Sequence, residues 1–305
     1  VTTGALTRVD PSQFATWRGS VAALDGAARA VDGHGSLGDA VWRDLAHPGA
    51  DSVGFALDAG AYLHLFRPDP TGTAWTAGLV RLVGFRDRAV TTILIDAAVT
   101  HVAHHGGGTL TCWILGATDV DDATFDAAAF RATRTLLEMR APLPVPEPVR
   151  WPDGITVRTF VAPDDDTAWL ALNNRAFGEH PDQGGWSAVT LHRRMDEPWF
   201  DPTLFLLAFD DVGLAGFNWL KQHPAVDPDP ALGEIYVIGV DPRTQGSGLG
   251  RALAVAGLHA VHERGAAAAM LFCAANNTNA LMLYRSLGFS VHRTDRAYET
   301  TIRAL

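Results

Sequence analysis

Between Leu232 and Arg251 the chain reads LGEIYVIGVDPRTQGSGLGR, and no other stretch restricts its architecture as strongly. Ile235, Val237, Ile238 and Val240 form a β-branched run that predicts a buried strand, stopped by Asp241-Pro242. A short turn, Gln245-Gly246-Ser247-Gly248-Leu249-Gly250, then opens an Ala/Leu-rich segment that reads as a helix. Strand, glycine turn and helix in that order create an anion site. The turn N–H groups converge on one concavity, and the helix N-terminus adds partial positive charge. Glycine serves twice there: it adopts positive φ freely, and it has no Cβ to hold a phosphate away from the backbone.

No Gly-Lys-Ser/Thr follows, so this is not a nucleoside-triphosphate loop, and the glycine spacing is not that of a dinucleotide fold. The spacing Gln245-x-x-Gly248-x-Gly250 is similar to the acyl-CoA pyrophosphate turn of GNAT-type N-acetyltransferases. A plain strand-to-helix connection with convenient glycines is the competing explanation. The glycines alone do not decide between them.

The rest of the chain narrows the classes. Its 305 residues suffice for two ordinary domains. No apolar run reaches the roughly 20 residues of a membrane span, and the first residues show no basic-then-apolar signal pattern, so a cytoplasmic protein is expected. The net charge of −10 disfavours a nucleic-acid partner. Cys112 and Cys273 lie in apolar, strand-like runs and read as buried, reduced thiols. His101, His104 and His105 share a helical face without a nearby carboxylate or cysteine, so a surface cluster is expected and no metal. Lys221 is the single lysine among 24 basic residues, kept for its chemistry or by chance.

Ala141 to Gly154, APLPVPEPVRWPDG, holds five prolines and no apolar periodicity, which predicts an extended linker. The expected organisation is therefore a domain over 1–141, a linker over 142–152 and a second domain over 153–305. The second half reads β–α–α–β–β–β–α–β–α–β, a mixed α/β order unlike a repeating βαβ pattern. The first half runs similarly from a first helix over 11–31, as a diverged repeat. After Phe85, however, comes RDRAVT with no glycine, so its acyl-CoA binding is expected to be weak or absent.

Acyl transfer to an amine needs a neutral nucleophile, a polarised thioester carbonyl and a proton for the departing thiolate. Glu234, at the start of the strand, is the candidate general base, acting directly or through a water; an orienting or merely exposed carboxylate is the alternative. Backbone N–H groups of Ile238, Gly239 and Val240 could reach the carbonyl if this strand splays from the one over 267–275. Tyr284, in LYRSLGF (283–289), is the candidate acid, with a core tyrosine as the alternative. Asn277 and Asn279 suit hydrogen bonding to the pantetheine arm or phosphates, or simple helix capping.

NNRAFGEHPDQGGW (173–186), Trp199-Phe200-Asp201-Pro202, and GEIYVIGVDP (233–242) with its glycine turn together resemble the mycothiol synthases, tandem-domain GNAT-type acetyltransferases. The resemblance covers the second half and, more faintly, the region around Val31-Asp32-Gly33 and the linker. It implies two tandem acetyltransferase domains, the first degenerate, and no metal. The implied reaction moves acetyl from acetyl-CoA to the cysteinyl amine of cysteinyl-glucosaminyl-inositol, with a small-molecule acceptor as partner and a monomeric protein. It further implies that Asp39, Asp182, Lys221 and Glu234 contact the acceptor. Ile238 to Val240, Gln245, Gly246, Ser247, Gly248, Leu249, Gly250 and Arg251, and Asn277, Thr278, Asn279, Ala280, Leu281 and Met282 would contact acetyl-CoA. Phe272 departs from the pattern by standing where the family carries an acceptor-binding tyrosine, which favours a different amine. A CoA-binding sensor without catalysis is the reading from another class.

Overall fold

A computed structural model describes residues 4–178, 183–227 and 229–305. The first elements in chain order are β1 (Leu6–Val9), α1 (Phe14–Asp32), α2 (Asp39–Ala46), β2 (Val53–Leu57), β3 (Ala61–Phe66) and β4 (Ala74–Arg81). Then follow α3 (Arg88–His104), β5 (Gly108–Ile114), α4 (Asp119–Ala127) and β6 (Arg131–Pro142). The second half supplies β7 (Thr156–Thr159), α5 (Asp166–Ala176), α6 (Ala188–Met195), β8 (Phe205–Phe209), β9 (Leu214–His223) and β10 (Leu232–Val240). It ends with α7 (Leu249–Glu263), β11 (Ala268–Ala274), α8 (Thr278–Ser286) and β12 (Ser290–Ile302).

The chain forms two compact units that are not its two sequence halves. Unit 1 is Val1–Leu137 with Ala274–Asn276 and Arg293–Leu305; unit 2 is Glu138–Cys273 with Asn277–His292. Most of β12 therefore lies in unit 1, where it pairs antiparallel with β5 from Arg296↔Ile114 to Ile302↔Gly108. The sequence pattern places this closing strand in the second domain. An apolar alternation shows which face of a strand is buried but not which sheet edge receives it, because any edge offers the same backbone groups.

Each unit repeats one topology. In unit 1, β1 to β4 are successively antiparallel, and β4 joins β5 in parallel across α3. In unit 2, β7 to β10 are successively antiparallel, and β10 joins β11 in parallel across α7. The two-residue period fills both sheet faces. Leu63 and Leu65 enter one core of unit 1 while Tyr62 and Phe66 enter the other. In unit 2, Phe205 and Leu207 join an aromatic core with Trp169, Phe217 and Trp219, while Leu206 and Ala208 face Leu249 and Leu253 of α7. That helix lies close on its sheet: a Cβ at Gly233 would stand 2.3 Å from Val261 Cγ2.

Two expectations need correction. The first element is not a helix but β1, a four-residue strand paired with β2; with three of its residues exposed it shows no apolar alternation. His101 is not on the surface. It is 7% exposed, lying on the buried stripe of α3 with Leu94 and Ala98, edge-on to Trp75 and stacked on His105 at 3.8 Å. Burial, with His105 beside it, pushes its pKa down to about 4, so the ring is neutral.

Candidate active site

The site assembles in unit 2 from β9, β10, β11 and the starts of α7 and α8. Parallel pairing of β10 with β11 runs from Leu232↔Ala268 to Ile235↔Leu271 and stops, although β10 continues to Val240 and β11 to Ala274. A bulge between Ile235 and Val237 against β9 marks the same point. The bulge adds local twist and bends β10 away from its parallel neighbour. Alternate N–H groups between Tyr236 and Val240 then face the opening instead of a ladder partner. The expected splay is present, and it begins where the bulge lies.

Glu234 pairs across the ladder with Lys221, and Leu232 with His223, so Glu234, Lys221 and His223 share one sheet face. Glu234 is 6% exposed, and its Oε2 lies 2.7 Å from His223 Nε2. A carboxylate only accepts, so Nε2 carries the hydrogen and donates it. Lys221 Nζ sits 4.9 Å above the Trp199 ring, and Trp199 meets Tyr236 edge-on at 5.0 Å. A carboxylate, a cation and an aromatic wall thus meet beside the splay.

The glycine turn has the form its spacing predicts. Gly246 and Gly248 have φ of +80° and +90°. Gly248 is the N-cap of α7 without a side-chain cap, and the first backbone bond of the helix runs from Ala252 N to Gly248 O at 3.0 Å. The N–H groups before Ala252 lie at the helix start, where an anion can accept from them. This donor set fits a pyrophosphate. Upstream, Asp241 fixes the exit from β10 by accepting from Arg243 N at 3.1 Å and Arg175 Nη2 at 2.5 Å. Unit 1 differs at the matching point. Asp87 caps α3, its carboxylate accepting from Val90 N at 2.8 Å, so that helix end already holds an anion of its own.

Tyr284 is 7% exposed and packs on Phe289. Burial, with Cys273 nearby, raises its pKa well above the ordinary phenol value, so it is fully protonated near neutrality. A proton donor for a thiolate must be in that state. Cys273 is buried and its thiol is pushed up to about 11, as expected of a structural thiol and not of a nucleophile.

The Acetyltransferase (GNAT) family matches residues 168–289. A mycothiol acetyltransferase of Acidothermus cellulolyticus is 43% identical over 252 residues, 78% of this chain and 75% of the relative. One from Thermobispora bispora is 40% identical over 288 residues, 92% of this chain and 94% of the relative. The chain belongs to the mycothiol acetyltransferase family. It is thus an acyl-CoA-dependent N-acetyltransferase. The fold agrees. A GCN5-related N-acetyltransferase from Sphaerobacter thermophilus superposes with a TM-score of 0.74 at 23% identity, covering 99% of this chain and 96% of that one. A tandem GNAT protein from the clavulanic acid pathway superposes with a TM-score of 0.69 at 16% identity, over 97% and 98%. At such identities only the fold is shared.

The structure sorts the residues that family membership brings forward. Lys221 and Glu234 come together, whereas Asp39 is an exposed first-turn residue of α2 in unit 1. Asp182 lies outside the described residues. Phe272 is 39% exposed on β11, one residue past the last pair with β10. Asn277 caps α8, accepting from Ala280 N at 3.2 Å, and Thr278, Asn279 and Met282 are exposed while Leu281 is buried. Arg251 has a side-chain role that its spacing did not suggest. Its guanidinium holds Glu147 of the proline-rich segment in a fork, at 2.7 and 2.6 Å, and donates to Ser286 at 2.6 Å.

Sequence reasoning missed two features. One is His223, whose signal was its two-residue spacing from Lys221 on an extended run. The other is the purpose of the Asn173-Asn174 pair. Asn173 Nδ2 donates to Gln183 O at 2.9 Å, and its Oδ1 accepts from Gln183 Nε2 at 3.0 Å. Asn174 Nδ2 donates to Trp186 O at 2.8 Å, and its Oδ1 accepts from Trp186 N at 2.9 Å. The two amides thus tie Gln183 and Trp186 to the end of α5.

Among the described residues, no group of three or more His, Cys, Asp or Glu could hold a metal ion. No helix among them is long and apolar enough to cross a membrane.

Proposed function

We propose that the enzyme transfers the acetyl group of acetyl-CoA to the cysteinyl amine of cysteinyl-glucosaminyl-inositol, using unit 2 as its one active site. The observation that carries this reading is Glu234, buried on one sheet face with Lys221, at the point where β10 leaves β11. Glu234 takes the ammonium proton, directly or through one water, and the freed amine attacks the thioester carbonyl. An α-amino group has a reference pKa near ~8, so a carboxylate of moderate strength suffices. Backbone N–H groups of β10 within 236–240 donate to the oxygen that gains charge, already oriented by the ladder with β9. Tyr284 gives its proton to the departing thiolate. The N–H groups at the α7 terminus hold the pyrophosphate, and Lys221 orients the polyol acceptor.

The name of the mycothiol acetyltransferase relatives supports this acceptor. The Asp87 cap on α3 supports a unit 1 without acyl-CoA binding of its own. The exposed Phe272 keeps a second amine in view, since it offers no hydroxyl. Incubating the enzyme with acetyl-CoA and a panel of amines, with products read by mass spectrometry, tests the assignment. The cysteinyl pseudodisaccharide is expected to gain one acetyl group on nitrogen with the highest kcat/KM. Faster acetylation of an amine lacking the cysteinyl group would overturn it.

A further inference from the structure

Glu234 needs a hold on its geometry that Lys221 does not supply. Although Lys221 is its cross-strand partner, the ammonium rests over the Trp199 ring at 4.9 Å. Among the described residues, the one side chain that bonds the Glu234 carboxylate is His223, through Nε2 to Oε2 at 2.7 Å. The carboxylate side chain is 8% exposed and the His223 side chain 30%, so the imidazole closes one side of the carboxylate and reaches solvent with its other edge. A carboxylate this buried is costly to leave unpaired.

We propose that His223 is a positioning residue for Glu234. Its Nε2–H engages Oε2, fixes the carboxylate plane and leaves Oε1 as the oxygen that takes the ammonium proton. The two-residue register makes this possible. His223 and Lys221 point to the same side of β9, and Glu234 lies directly opposite Lys221 and one diagonal step from His223. His223 then acts on the rate through the base, and acetyl-CoA binding at the glycine turn is outside its reach.

The inference rests on the reading of Glu234 as the base, and the test separates the two. Four variants of the full chain, H223F, H223N, H223Q and E234Q, and the double variant H223F/E234Q are assayed at saturating acetyl-CoA and acceptor. H223F keeps the ring volume without a donor and is expected to lower kcat by about 10- to 100-fold, part of what a general base contributes. Its KM for acetyl-CoA should stay within twofold of the parent. H223Q, whose amide N–H reaches further than that of H223N, is expected to recover several-fold of the loss, giving the order His, Gln, Asn. This ranking holds the test even if H223F does not fold. In the E234Q background H223F should add nothing, because the group it positions is gone. Parental kcat in H223F, equal losses in H223Q and H223N, or additive losses in the double variant would overturn the positioning role. Full activity in E234Q would overturn the base itself, a different result from an intact H223F beside an inactive E234Q.

Discussion

Alanine at two glycines of one turn separates backbone strain from ligand approach. Gly248 has φ +90° and ψ −4°, and a Cβ built there meets no atom within 4 Å. The protein itself therefore has room for alanine, and the destabilisation comes from the left-handed backbone alone, about 1–2 kcal/mol. Gly250 sits in the first turn of α7, outside the positive-φ positions, and its Cβ would stand 3.7 Å from Val240 Cγ1, an ordinary contact. Alanine there restricts the unfolded chain and is expected to stabilise by about 0.5–1 kcal/mol. The two changes thus move stability in opposite directions. On the proposed reading, however, both put a methyl group where the pyrophosphate reaches the N–H groups. Loss of one such charge-assisted bond, about 1.5–3 kcal/mol, raises the acetyl-CoA KM by about 10- to 100-fold. Urea unfolding followed by tryptophan fluorescence reads the first effect, and acetyl-CoA titration of initial rates reads the second. A G250A variant that is more stable yet keeps its acetyl-CoA KM would refute the assignment of this turn to the pyrophosphate. A G248A variant as stable as the parent would refute the strain argument.

Two further outcomes follow from the ties around the site. N174A removes both bonds to the Trp186 backbone, so a loss of about 1–3 kcal/mol is expected in urea unfolding, with acceptor KM raised and acetyl-CoA KM held; unchanged stability would show that the clamp carries no weight. The hydrogen bond from Arg251 holds the Glu147 carboxyl below its usual range, so the stability it contributes is present above the ordinary glutamate value, about 4.3, and is lost as pH falls through the lower folded value. E147Q should therefore have a slightly lower urea midpoint than the parent at neutral pH, and the two midpoints should converge in acid. A gap that persists or widens in acid would contradict the ion pair.

Much of the fold was legible because the periodicities are local. The β-branched run in 232–240 and the Ala/Leu-rich run after Gly248 each declare their element from neighbouring residues. β1 was not legible, since an edge strand with one buried residue has no pattern to read. The site divided in the same way. Glu234, Tyr284 and the glycine turn stand out as candidates by type and spacing. His223 does not, because its meaning depends on a partner eleven positions away across a ladder.

By itself, then, the sequence determined most of the element order, the glycine turn between β10 and α7, and the family, all of which depend on residue type and short spacing. Tertiary structure alone decided which sheet receives β12, where β10 parts from β11, that Arg251 grips Glu147, and that His223 holds Glu234. Those are contacts between segments remote in sequence. Their geometry follows from how strands register and side chains pack, and no local pattern encodes it.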